Sequence, residues 1–424
     1  MANGQVSVRG NSAPAGGATA TMTQSGQGQP LLMSTDQLMI LSEQFMENSE
    51  YNDVKLNIVN LVAGQQAAFQ INNIGMGESL EMLVQLTFTV QNTTSASVTL
   101  NVAPESPYGL ISQLITQFNG QTVLDNLSGY DLLGVMVRRN RTLISPNGVI
   151  NPLVASITVS GSGVTSATGT GICNLTSITI PATDTATITA LMYLELPFVL
   201  ARELLFGLLP MQNNSVYLSV TAVAGTLVGT DPTAMLSAAS ITGLTVATTS
   251  FTCKPTYNFW AVPSPNKPEL YAQLIANNYM ILTVPNQTFT ATGAAGINFN
   301  MPNNYYLLSL AMTARDSTKT LLPVATTLDN PRLSYNNTAI VEQRDILTRT
   351  ARQGMWMYGA VPPGMILFDL MDAEHRPNIN TAKMLNMYEA NNPQFLVDVG
   401  SGVSVPGTFR VCREQLVPSN VQIV

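Results

Sequence analysis

The sequence predicts an all-β protein of two tandem β-sandwiches, and three observations carry that prediction. Short runs rich in β-branched residues recur along nearly the whole chain, separated by Gly, Asn, Ser or Pro at the spacing of sandwich strands. The chain has 424 residues, more than one ordinary core holds. A stiff stretch, "VPSPNKPEL", with Pro263, Pro265 and Pro268, divides the strand pattern into two halves of similar style.

In chain order, residues 1 to 33 are dominated by Gly, Ser, Ala, Thr and Gln with the single charge Arg9, too polar to offset their ordering entropy. A flexible arm is expected there. In "STDQLMILSEQFMENSE", Ser34 and Gln37 fit a capping box, and Leu38, Leu41 and Phe45 recur at helical spacing. Residues 1–50 therefore read as an arm followed by one short amphipathic helix. The first sandwich, 51–262, opens with "VKLNIVNLV", "QAAFQINNI", "LEMLVQLTFTV" and "ASVTLNVA". In "LITQFNGQTVLD", Asn119 and Gly120 stand between two alternating runs, a strong hairpin signal. Helical patterning is expected at "SPYGLISQLI" after Pro107, at "SGYDLLGVMVRR" with Ser128 three residues before Asp131, and at "PFVLARELLFGLLP" until Pro210. Beyond a linker at 263–269, the second sandwich, 270–424, repeats the grammar. Its strands include "YAQLIANNYMILTV", "NYYLLSLAMTA", "GMILFDLM", "QFLVDVG" and "GTFRVCREQLV", and its helix is "QRDILTRTARQGMW". Each half has about eight strands and a helical insertion before its closing strands.

Charged residues make up 10% of the chain, against roughly 25% in a typical soluble protein. Asn, Thr, Ser and Gln replace them. Such a weakly charged exterior, with 20 Met in the chain, points to a surface covered by other subunits. The net charge of −7 and pI of about 4.8 argue against direct nucleic-acid binding, the densest basic spot being Arg138, Arg139 and Arg141. Cys173, Cys253 and Cys412 are widely spaced and indicate neither a disulfide framework nor a zinc site. The N-terminal segment lacks the apolar core of a signal peptide. The longest apolar stretch, 190–210, carries Glu195, Arg202 and Glu203 around Pro197 and is a poor membrane span. A chain made in the cytoplasm and soluble there is expected.

One stretch raises the question of catalysis. "MILFDLMDAEHRPN" holds the sole histidine, His375, near Asp369, Asp372, Glu374 and Arg376. Imidazole and carboxylates suit metal or acid–base chemistry. The alternation of Ile366, Phe368 and Leu370 instead describes a strand, and "DAEHRPN" a polar turn closed by Pro377. One histidine cannot supply a cupin-type ligand set, and no nucleophile elbow precedes a helix. Glycoside cleavage by paired carboxylates leaves no spacing to read, but Trp260 and Trp356 are few for a sugar-cleaving cleft. The Gly-rich "GSGVTSATGTG" lacks the lysine of a P-loop. No catalytic residue, cofactor or metal is expected. Sequons such as the one at Asn92 are assigned no function. For the helix around Leu38, Leu41 and Phe45, three readings stand: inter-subunit packing, membrane contact, and packing under its own domain.

Two stretches resemble the major capsid protein of tectivirus-like phages, which are tailless, icosahedral and contain an internal membrane. "SPYGLISQLITQFNGQTVLDNLSGYDLLGVMVRRN" is similar to the family's first-domain helix, hairpin and second helix, and "QRDILTRTARQGMWMYGAVPPGMILFDLMDAEHRPNI" to its second-domain helix, Pro-Gly turn, strand and acidic turn. The N-terminal arm is longer and poorer in charge than that family's. The resemblance implies two eight-stranded jelly rolls (a double jelly roll) and homotrimers that form pseudo-hexagonal capsomers and tile a virion shell. It implies contacts with neighbouring capsomers, with penton or vertex and minor capsid proteins, and through the N-terminal arm with an internal membrane. It also makes Asp372, Glu374, His375 and Arg376 a polar turn contacting a neighbouring subunit. A virion-attached or secreted β-sandwich that binds a receptor or glycan is the alternative.

Overall fold

The computed structural model describes residues 35–72, 74–139, 151–169, 173–199, 207–211, 215–261, 279–291, 295–322, 328–335, 338–339, 364–369, 385–400 and 407–418. The arm, the Pro-rich linker, the expected helix over 343–356, residues 200–206 of the helix expected at "PFVLARELLFGLLP", and the turn at 370–384 lie outside these residues. The described ends of that second stretch are a correction: Pro197 closes a strand paired with Met76–Asn92, and Leu209–Pro210 is a short strand on the same partner, so pairing outweighs the helical pattern there. The helix α1 spans Thr35–Glu47 and α2 spans Gly129–Arg139; the remaining regular structure among the described residues is almost entirely β.

The first half is built around the strand Met76–Asn92, whose alternation decides its faces. Leu80, Met82, Val84, Leu86, Phe88 and Val90 are buried, while Glu81, Gln85, Thr87 and Thr89 turn outward. This strand pairs antiparallel with Leu244–Ala261 on one side and Thr185–Pro197 on the other. The seven-stranded sheet runs in the order Glu50–Lys55, Leu244–Ala261, Met76–Asn92, Thr185–Pro197, Ala155–Ser160, with two short strands attached. Its apolar face packs on a five-stranded sheet, through Leu100, Val102, Ile178 and Ile180, and on Leu114, Phe118, Leu218 and Val220 of a third sheet. A second core lies in the other half. There the four-stranded sheet of Ala295–Asn300, Gln394–Val399, Leu328–Tyr335 and Thr338–Ala339 packs Phe299, Phe395 and Val397 against Leu310, Met312, Phe368, Phe409 and Val411.

The third sheet belongs to both halves. Its nine strands run Met365–Asp369, Tyr306–Arg315, Gly407–Pro418, Tyr279–Ala291, Thr122–Leu127, Ile111–Phe118, Tyr217–Ala224, Gln66–Asn72, with Leu385–Asn386 attached to the second. The halves join where Tyr279–Ala291 lies parallel to Thr122–Leu127, Thr283 opposite Asp125. Beyond the joint the sheet is covered on both faces: Leu310 and Phe368 point into the second core, while Met365, Leu367 and Cys412 point into the first. A strand covered on both sides reads as a continuous apolar run, as "YLLSLAMTA" and "MILF" do.

A row of polar residues crosses this joint. Thr116, Asp125, Thr283, Glu414 and Ser309 stand opposite one another on five neighbouring strands, and all are buried. The Thr116 hydroxyl donates to Asp125 Oδ2 at 2.6 Å and the Ser309 hydroxyl to Glu414 Oε2 at 3.2 Å. A one-residue slip at the joint would set buried carboxylates against apolar neighbours, so the row opposes any other register.

Local expectations are met at the hairpin and at α2. Asn119 and Gly120 both take positive φ, 52° and 64°, as the turn joining Ile111–Phe118 to Thr122–Leu127 requires. The Ser128 amide and hydroxyl both donate to Asp131 Oδ2, at 2.9 and 2.7 Å, and so hold the start of α2. The expected helix at "SPYGLISQLI" is a correction. Only Tyr108–Leu110 turns, as a single 3-10 turn, and Ile111 opens a strand. Leu114, Thr116 and Phe118 recur with period two, and pairing with Tyr217–Ala224 outweighs the helix-start signal of Pro107.

Asn92 closes the end of the first sandwich. Its amide nitrogen donates to the carbonyls of Ala96, Ile180 and Pro181 at 2.8, 3.3 and 2.9 Å, and its oxygen accepts from the Thr94 amide and hydroxyl at 3.0 and 2.7 Å. Fully buried, it tethers both sheets. Asn92→Asp leaves carbonyls facing a carboxylate, and chemical denaturation is expected to show a loss of about 2–4 kcal/mol.

Candidate functional site

Two regions bear on function: the contact between the halves, and an apolar strip along one sheet edge. The contact is electrostatic as well as apolar. On α2, Asp131 is buried and pairs with Arg410 of the second half at 2.7 Å. Next to it, the Arg315 guanidinium lies over the Tyr130 ring, 5.6 Å from its centroid, and pairs with the buried Glu105. Lys319 pairs with Asp231 farther out. The helix also seats Gly134 against Met365 and Ala311 of the second half, where a Cβ would come within 3.1 Å of Met365 Cε. Charges are few in this chain, and three ion pairs among the described residues tie one half to the other.

The strip begins at α1. Leu41 and Phe45 turn inward, Phe45 being 1% exposed, and Phe45 meets Trp260 edge-on at 6.2 Å. Trp260 also meets Tyr51 at 5.2 Å and donates its Nε1 proton to Glu78 Oε2 at 2.6 Å. Burial is thus spent on docking the helix to its own sandwich, while Met39 and Ile40 remain outside. The Leu38 side chain lies outside the described residues. Tyr51, Ile58 and Val62 continue the exposed apolar surface along the edge strand, so five of the eight large exposed apolar residues among the described residues fall between 39 and 62. Leu153, 85% exposed, stands at the entry to the strand on the opposite edge of the same sheet.

The acidic turn of Asp372, Glu374, His375 and Arg376 lies outside the described residues; the strand before it, Met365–Asp369, is in place. Trp260, Ile58 and Val62 were not singled out from sequence. The signal was the doubled apolar pairs Ile58-Val59 and Leu61-Val62, which in a strand must send one member to each face. Among the described residues no group of three or more His, Cys, Asp or Glu comes together as a metal site, and no helix is long and apolar enough to cross a membrane.

This architecture defines a class: two sandwiches in tandem, fused through one shared sheet, form a double jelly roll. Solved structures share the fold. The chain is similar to the crystal structure of the MCP of STIV, Sulfolobus Turreted Icosahedral Virus, with a TM-score of 0.58 and 14% identity over 87% of this chain and 97% of that one. In the atomic structure of that virus the match is 0.58 and 14%, over 87% and 91%. For the PBCV-1 virus capsid it is 0.52 and 12%, over 87% and 94%. No family model matches the sequence, and no curated protein matches it.

Two outcomes follow from the contact and from the thiols. Asp131→Ala removes both the partner of Arg410 and the acceptor at the start of α2, and is expected to cost about 2–4 kcal/mol in denaturant melts. Burial pushes the Cys173 and Cys253 thiols up to about 12, and Cys412 well above the usual thiol range. All three should resist alkylation at pH 8 in the native protein. Because the unfolded thiols ionise near pH 8.5 and the folded ones do not, stability is present below that pH. It should fall as pH rises from about 8.5 toward 12, as urea titrations at several pH values would show.

Proposed function

We propose that this chain is a major capsid protein, a structural subunit that assembles with copies of itself into a virion shell. The observation that carries the reading is the double jelly roll itself, present along nearly the full length of the capsid structures it is similar to. The weakly charged composition and the apolar strip from Met39 to Val62 support it, since both suit a surface hidden between copies. The shared sheet and the ion pairs between the halves suit a building block that must hold its shape.

In this reading three copies form a capsomer of six jelly rolls with pseudo-hexagonal outline, and capsomers tile an icosahedral shell around an internal membrane. Penton, vertex and minor capsid proteins complete it. The segment before α1 and the turn of Asp372, Glu374, His375 and Arg376 serve contacts with lipid or neighbouring subunits. The chain carries no catalytic role, is made in the host cytoplasm and ends in the virion.

Light scattering on the purified chain at low concentration tests this. A species near 136 kDa, about three times the 45.4 kDa chain mass, is expected. A stable 45.4 kDa monomer that never forms larger particles would sink the reading.

A further inference from the structure

The strand Leu244–Ala261 is paired unevenly along its outer edge. Glu50–Lys55 covers residues 256 to 261, and Val59–Asn60 covers Thr252 and Cys253. The Leu56 amide donates to the Pro255 carbonyl at 3.0 Å and the Leu61 amide to the Phe251 carbonyl at 2.8 Å, so coverage by this segment is continuous down to Phe251. There it stops. From Leu244 to Ser250 the strand pairs only with Met76–Asn92 on its inner side, among the described residues.

The uncovered stretch differs from the covered one. Residues 245 to 250 are exposed on both faces of the sheet. Val246 stands opposite the fully buried Val90 and so faces inward, yet it is 41% exposed; Ile241, just before the strand, is exposed too. "TVATTS" has no charge and no proline, whereas the covered part of the edge carries Glu50, Asp53, Lys55 and Lys254. Its single irregularity is a bulge at Thr249, which leaves Leu244–Thr248 as a regular run of five residues. An open, uncharged run of β-formers is a template for another strand.

We propose that this edge receives residues 18–23 of a neighbouring copy as an added strand. The rest of the same edge is already closed by the chain's own N-terminal residues 50 to 61, and 34 residues precede α1. Within them "ATATMT" opens a run of eight, residues 18 to 25, without charge, proline or glycine. Its alternation sets Ala18, Ala20 and Met22 on one face, the apolar cover that Val246 and Ile241 lack, and Thr19, Thr21 and Thr23 on the other. Reach favours a neighbour's segment. From Thr23 to Thr35 the chain spans at most about 43 Å. Trp260, where α1 docks, stands about 43 Å along the strand from Ala247. The helix displaces Thr35 by about 15 Å from the docked Phe45, toward or away from the open edge, so pairing with its own edge uses from about two thirds to all of the chain's reach, whereas a neighbour's segment carries no such limit. The inference rests on the self-assembly reading above and names one of its contacts.

Cysteine pairing tests it on the full chain. In a Cys173→Ser background, Ala247→Cys is combined in turn with Thr19→Cys, Thr21→Cys and Thr23→Cys, and assembled material is oxidised and run on a non-reducing gel. A ladder of chain-to-chain disulfides in at least one combination is the expected result. A compact monomer band would show the segment on its own strand, and assembled particles without cross-links would leave the edge unoccupied; either overturns the inference while sparing the capsid reading. Protein that never rises above the monomer in light scattering removes both. As a second measurement, Ala247→Lys should lower the assembled fraction at least tenfold with the melting temperature unchanged; unaltered assembly would count against the added strand.

Discussion

The structure depends on one sheet being buried on both faces. In the second half, Tyr306–Arg315 and Met365–Asp369 send Leu310, Met312 and Phe368 into one core and Met365 and Leu367 into the other. A strand in that position has no solvent side, so neither half has a complete apolar cover without its neighbour. The joint is therefore not a linker but a layer of the interior. Deforming it exposes apolar area on two cores at once, and at about 25 cal/mol per Å² that cost rises quickly.

The polar groups at the joint follow from the same constraint. A greasy layer alone would tolerate sliding, since apolar contacts are non-directional. The buried row from Thr116 through Asp125, Thr283 and Glu414 to Ser309 is directional, and so are the pairs Asp131–Arg410 and Glu105–Arg315. Together they select one register and one angle between the sandwiches. Some of the few charges this chain possesses thus fix orientation at the joint, while the chain is otherwise rich in Thr, Ser, Asn and Gln.

The exterior is unfinished in a consistent place. The sheet of Met76–Asn92 has apolar residues bare at both of its lateral edges, Tyr51, Ile58 and Val62 on one side and Leu153 on the other, and part of the first edge has no strand partner among the described residues. Edges are where a sheet continues into a neighbour most cheaply, because backbone groups already point outward.

Much of this was legible in the sequence, for reasons of period and turn chemistry. The alternation of Met76–Asn92, the Asn119-Gly120 turn and the Ser128–Asp131 cap are local, and each is set by residues within a few positions of one another. The tandem architecture, too, showed in the strand spacing. Tertiary structure decided the rest. Nothing local says that Asp125 lies beside Thr283, 158 positions later, because parallel pairing between distant strands has no sequence spacing. The pattern at "SPYGLISQLI" allowed a helix until Tyr217–Ala224 supplied a partner for it. Likewise the stripe of Leu41 and Phe45 announced an amphipathic helix, but only the position of Trp260 decided that this face is used at home and that Met39 and Ile40 are left outside. Periodicity determines which residues share a face; what that face meets depends on chain segments too far away in sequence for any local pattern to record.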